Sequence, residues 1–148
     1  MYLYNISGGP SPQYLQYVNV PLIPNSECNS LSGYKAKGFT LSNSQLCAGN
    51  LTSGGIDSCS GDSGGALACD AGGFVGHVLT GVVSFGYKCG EPNFPGIYSK
   101  VTHYIDWIIS KMGDSATTTT TTTSDSKYSK SLNIGNSTIE ILAIPEFF

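Results

Sequence analysis

Apolar and polar residues alternate through Leu15 to Ile23 (LQYVNVPLI), a period of two that predicts a strand. The strand is expected to stop at the turn Pro24-Asn25-Ser26, and Pro24 to Cys28 is suited to open a short helical segment running toward Leu31. Gln45 to Gly49 (QLCAG) is a short apolar run that leads into a glycine-rich loop. Gly65 to Cys69 (GALAC), Phe74 to Phe85 (FVGHVLTGVVSF) and Gly96 to Val101 (GIYSKV) read as strands separated by Gly and Pro turns. The period then changes. In VTHYIDWIISKM, Val101, Tyr104, Ile105, Ile108 and Met112 recur at helical spacing, with Asp106 and Lys111 off that face, and an amphipathic closing helix is predicted. An all-β barrel or sandwich with one terminal helix follows.

The globular pattern ends near residue 112. Thr117 to Thr123 is an unbroken threonine run followed by SDSKYSKS, with too little apolar surface to offset its chain entropy. Residues 113–131 are therefore expected to form a disordered, O-glycosylated linker. Residues 132–148 are more apolar and have no assigned role. They either dock on the domain or stay loose, and Glu140 and Glu146 argue against a cleaved lipid-anchor signal. There are no internal repeats.

Length and charge narrow the function classes. A chain of 148 residues suffices for one domain and is short for two. With 19 glycines, 11% charged residues and 40% hydrophobic ones, the composition suits a turn-rich globule. The net charge of −3 offers no basic face for nucleic acid, and no stretch approaches the roughly 20 apolar residues of a membrane helix. Five cysteines, with no metal-ligand spacing around them, point to disulfides and not to a metal. Sequons at Asn5, Asn50 and Asn136 agree with an oxidising, secreted glycoprotein. The N-terminus lacks the basic start and apolar core of a signal peptide, so the front of the protein is expected to be missing.

The chemistry gathers in Gly55 to Leu67, GIDSCSGDSGGAL. The glycines on either side of Ser63 allow a tight turn, which brings bare amides close to a bound carbonyl. The amides of Gly61 and Ser63 can then converge on one spot, where a tetrahedral oxyanion would form. A serine hydroxyl attacks only when a nearby base accepts its proton. The two histidines, His77 and His103, both follow it in sequence.

Asp57 to Gly65 (DSCSGDSGG) resembles the active-serine loop of the trypsin/chymotrypsin-like serine proteases. LCAGN (Leu46 to Asn50), LTGVVSFGYKCG (Leu79 to Gly90), PGIYSKV (Pro95 to Val101) and HYIDWI (His103 to Ile108) fall in that family's order and spacing, so the likeness covers roughly residues 1–112. It implies the second antiparallel β-barrel of the two-barrel protease fold, without its opening strand, plus a C-terminal helix and a disordered tail.

The resemblance also implies roles. Ser63 matches the nucleophile, and Gly61 with Ser63 the oxyanion-hole donors. Asp62 matches the acid that receives the new N-terminal ammonium after activation cleavage. Asp57 matches the base of the specificity pocket, with Ser58 beside it and Gly86 and Gly96 at its mouth. Ser84, Phe85 and Gly86 match the strand that pairs with substrate backbone. A carboxylate at the end of a narrow apolar slot favours a long cation, so cleavage after Lys or Arg in protein or peptide substrates is implied, with no cofactor. The family pattern pairs Cys28 with Cys47 and Cys59 with Cys89, leaving Cys69 alone; its usual partner precedes the matched segment. Tyr17 and Thr102 stand at two further positions where relatives often have cysteine. Ala66 replaces the usual Pro and Phe85 the usual Trp.

The family's catalytic His and Asp belong to a preceding lobe, and neither His77 nor His103 matches that histidine. Within the resemblance, the chain is a C-terminal half that needs a partner lobe carrying both residues, and alone it is expected to be inactive. The alternative is a non-catalytic homologue that serves as a secreted binding module.

Overall fold

The computed structural model describes residue 14, residues 16–70 and 76–112, and strands at 116–122, 128–134 and 137–143. Leu15, Phe74, the sequon asparagines Asn5 and Asn136, and the last residues of the tail lie outside the described residues. The chain divides into two compact units. One holds Leu67 and the residues before it together with Gly81–Lys100; the other holds Ala68–Thr80 and the residues from Val101 onward.

The apolar runs become paired strands. β1 (Leu22–Ile23), β2 (Gln45–Ala48), β3 (Ala66–Asp70), β4 (His77–Phe85) and β5 (Gly96–Lys100) form one sheet in the order β1-β2-β5-β4-β3. β2, β5 and β4 are its inner strands, and β2 runs antiparallel to β5 with Leu46 opposite Tyr98 and Cys47 opposite Ile97. Period-two alternation sends these residues to opposite faces. Leu46, Ala48 and Tyr98 pack with Leu67 and Val20, while Cys47 and Ile97 pack with Ile23, Cys28, Tyr34 and Leu41. Both faces are covered, which is why QLCAG reads as a run and not as an alternation. Full burial of Ile97 alone stabilises the fold by about 1.5–3 kcal/mol.

The predicted strand over Leu15 to Ile23 is shorter than its pattern suggests. Among its described residues, Leu22 and Ile23 are the ones in a ladder, paired with Ala48 and Cys47. Pro21 has no N–H to give to a ladder, although its carbonyl accepts from the Gly49 amide at 3.0 Å. Alternation marks a face, but a strand also needs a neighbour.

Two helices follow where the sequence pattern shows one. α1 (Asn25–Ser30) starts at Pro24 as expected, and Glu27 in its first turn complements the helix dipole. Leu31 ends it and begins α2 (Ser32–Ala36), where the buried ring of Tyr34 reaches the core and its hydroxyl donates to the Pro95 carbonyl at 2.8 Å. The disulfide Cys28–Cys47 ties α1 to β2.

In the second unit, Val101–Tyr104 makes a 3₁₀ turn and α3 (Ile105–Met112) completes the closing helix. Asp106 in its first turn and Lys111 in its last suit the helix dipole. Ile105 is buried, whereas Trp107 is 61% exposed. Beyond α3 the described residues resume at Ala116. β6 (Ala116–Thr122), β7 (Tyr128–Ile134) and β8 (Ser137–Ala143) form an antiparallel sheet of their own, with Thr119 opposite Ser131 and Leu132 opposite Ile139. Threonine is β-branched and favours the extended backbone even where it buries little. Among the described residues no helix is long and apolar enough to cross a membrane.

Candidate active site

Five glycines with positive φ shape the loop before β3 and the turn that faces it: Gly54, Gly55, Gly61, Gly64 and Gly90. The close approach matters at Gly54, where a Cβ would collide with the Gly90 carbonyl, and the Gly55 amide donates to that same carbonyl at 2.7 Å. The disulfide Cys59–Cys89 fastens the two segments covalently.

Beyond Cys59 the loop is closed by its own polar groups. The Cys59 amide donates to Asp62 Oδ2 at 2.8 Å, the Asp62 amide to the Cys59 carbonyl at 3.0 Å, and the Gly65 amide to the Asp62 carbonyl at 2.8 Å. Asp62 is thus an exposed carboxylate turned back on its own turn. Gly64 donates to the Val83 carbonyl at 3.0 Å, and Val83 donates to the Gly65 carbonyl at 2.9 Å, which docks the serine turn against β4. Ser63 is exposed at its apex. Among the described residues, neither the Gly61 nor the Ser63 amide is taken by a backbone carbonyl.

β4 supplies the facing wall. Its ladder with β5 slips between Val83 and Phe85, with Val83 opposite Tyr98 and Phe85 opposite Ile97. A bulge of this kind re-aims the residue it contains, and Ser84 at that slip borders the cavity. The cavity holds about 210 Å³ and is lined by Ser58, Cys59, Ser60, Ser63, Val83, Ser84, Phe85, Gly86, Lys88 and Cys89. Phe85, 42% exposed, also stands edge-on to Phe39 with ring centroids 5.2 Å apart.

The structure therefore brings Ser58, Ser63, Ser84, Phe85 and Gly86 to one cavity, while Gly61, Asp62, Asp57 and Gly96 lie outside its lining. Asp57 sits just behind it. A Cβ on Gly86 would stand 3.9 Å from Asp57 Oδ2, and one on Gly96 would collide with Asp57 Oδ1. Asp57 Oδ1 accepts from the Ser58 amide at 2.8 Å and Oδ2 from the Gly90 amide at 3.1 Å. Burial raises its carboxyl pKa above the ordinary 3.8, with the negative charge of Asp62 adding to the rise and the amides of Gly90, Ser58 and Gly96 opposing it.

Tyr98 was not singled out by sequence, although the alternation of GIYSK places it opposite Ile97 across the sheet. Its hydroxyl stands 3.1 Å from where a Gly96 Cβ would be, and burial raises its pKa while a hydrogen bond with the Ser58 side chain opposes the rise. Lys88 is a second addition. No histidine lines the cavity. His77 is exposed on β4, and His103 is exposed with its ring against Tyr104. Cys69 is free. Among the described residues, no cluster of His, Cys, Asp and Glu could hold a metal ion.

The comparisons with known proteins fall on the same segment. A family model described as Trypsin matches residues 4–108. Transmembrane protease serine 11G of Mus musculus is 46% identical over 105 residues, covering 71% of this chain and 24% of its own length. Testisin of Homo sapiens is 44% identical over 106 residues, 72% of this chain and 33% of its own. Trypsin-1 of Astacus astacus is 44% identical over 101 residues, 68% of this chain and 40% of its own. The chain thus spans about a quarter to two fifths of the length of these relatives.

Proposed function

Because this chain belongs to the trypsin family of serine proteases, we propose that it carries the nucleophile and the cation-selecting pocket of a secreted endopeptidase that cleaves after Lys or Arg. One observation carries this reading: Ser63 and Gly86 share a cavity, and the Asp57 carboxylate lies immediately behind Gly86. A substrate Lys or Arg extends past Gly86 and Gly96 toward Asp57, with Ser58 beside it. The contact is charge-assisted in a partly desolvated site. The edge Ser84–Phe85–Gly86 aligns the substrate backbone.

The carbonyl carbon then lies at Ser63. Its Oγ attacks, the carbonyl oxygen becomes an oxyanion held by the Gly61 and Ser63 amides, and the C–N bond breaks to leave an acyl-serine that water hydrolyses. The Ser63 proton passes to a base and then to the leaving amine. That base is an imidazole from a partner lobe carrying the His and its orienting Asp, since the cavity lining offers none. Asp62 becomes the partner of an activation ammonium once its bond to the Cys59 amide is exchanged. The two disulfides support an extracellular setting.

The test is in two arms. The chain should bind benzamidine, and Asp57→Asn should abolish that binding. It should leave an arginyl ester intact alone and hydrolyse it when combined with a lobe bearing His and Asp, with Ser63→Ala remaining inert. The absence of a base from the lining also favours a second reading, a binding module without turnover. Benzamidine binding with no turnover under either condition would support that reading instead.

A further inference from the structure

Lys88 borders the same cavity as Ser63 but has no part in the chemistry above. Its backbone lies at φ 59°, a left-handed conformation that disfavours any residue with a Cβ and costs glycine almost nothing. A lysine at this position puts a cation at the cavity wall. Its Nζ lies 3.7 Å from Glu91 Oε2 and 5.8 Å from the centroid of the Tyr87 ring. The Nζ of Lys37 stands 4.7 Å from that same centroid.

The whole chain has seven Lys and Arg residues, and two of them gather on this one ring. Ring and ammonium attract each other, which orients both side chains. Two ammonium groups against the single carboxylate of Glu91 leave this group with net positive charge. The Lys88–Glu91 pair has 57% and 43% exposed side chains, so it is weak and exchanges readily for another carboxylate. Two residues away, at Gly86, the Asp57 carboxylate gives the neighbouring wall the opposite sign.

Resting on the function proposed above, we propose that Lys88, Lys37 and Tyr87 form an acid-accepting rim that selects substrates with Asp or Glu one or two residues from the Lys or Arg held at Asp57. An extended peptide advances roughly 3.3–3.6 Å per residue, so a carboxylate at that separation is offered to Lys88 while the cation stays in its pocket. The rim adds a charge-assisted contact at the cavity edge.

The experiment is isothermal titration of the full chain with benzamidine and with two 4-amidinobenzylamide peptides. The peptides differ only in Glu or Gln beside the amidine-bearing group. At low salt the Glu peptide should bind about threefold to tenfold more tightly than the Gln peptide, and high salt should erase the difference. The ratio should fall partway in Lys37→Gln and to one in Lys37→Gln/Lys88→Asn. Asparagine tolerates left-handed φ, and a thermal melt checks that the variant is folded. Equal affinities in a wild-type chain that binds benzamidine overturn the rim and leave the Asp57 reading standing. A preference that survives the double substitution also overturns the rim. No benzamidine binding overturns both readings.

Discussion

A methyl group is enough to test the pocket at single-residue scale. Gly96 is buried with Asp57 Oδ1 and the Tyr98 hydroxyl against the space a Cβ would take, so Gly96→Ala must displace the carboxylate or the ring. Overpacking of this kind costs about 1–3 kcal/mol. Benzamidine affinity is expected to fall at least about tenfold, measured by titration; an unchanged affinity would mean that the cation does not pass Gly96. The raised pKa of Asp57 gives a second expectation. A group whose folded pKa exceeds its unfolded one contributes stability that is full below 3.8 and is lost as pH rises through the folded value. The ionised carboxylate is therefore the costly form, and a bound cation relieves it. Benzamidine binding should weaken on acidification with a midpoint above 3.8, and a midpoint at or below that value would refute burial as the dominant cause.

At the scale of elements, Tyr34 shows how a short helix positions the site wall. Its hydroxyl joins α2 to the Pro95 carbonyl that precedes β5, and its ring meets Phe39 and Phe94. Tyr34→Phe keeps the ring and removes a buried hydrogen bond, so about 0.5–1.5 kcal/mol should be lost in urea denaturation at neutral pH. Burial pushes the Tyr34 hydroxyl from 10.0 up to about 12. The wild-type chain should lose more stability than the Phe variant as pH rises from 10 to 12, the remaining loss in the variant coming from groups such as Tyr98. α2 itself is poorly marked in sequence, because SGYKA carries a glycine and no apolar period. β2 and β5 were legible, since strands buried on both faces leave a continuous apolar trace. The strand read into Leu15 to Ile23 was not, because pairing depends on a partner that local alternation does not record. The serine loop was legible from its glycines and its family likeness. Lys88 was missed because its direction follows from a left-handed backbone that no neighbouring residue announces.

Whole-molecule stability is unevenly spread between the two units. Both disulfides and both buried clusters belong to the first unit. Among the described residues of the second, Ile105 is the buried hydrophobic. Opening free energy follows buried apolar contact and crosslinking, so amide protection should be ranked accordingly. Native-state hydrogen exchange is expected to find the slowest amides in β2 and β5, with α3 exchanging faster. Cys28–Cys47 closes a loop of 19 residues across the slow region, a constraint that contributes about 2–4 kcal/mol. Replacing both cysteines by alanine should lower the protection of Leu46, Ile97 and Tyr98 together, because these residues share one sheet and open as a unit. Cys59–Cys89 crosslinks the serine loop to the Lys88–Gly90 turn, and its replacement should act chiefly on ligand affinity. Saturating the pocket with benzamidine at 100 times its Kd should then add about 2.7 kcal/mol to any opening that dissolves the site. Slow exchange that instead concentrates in α3 would place the stable core in the wrong unit and remove the rigid support on which the Ser63 cavity depends.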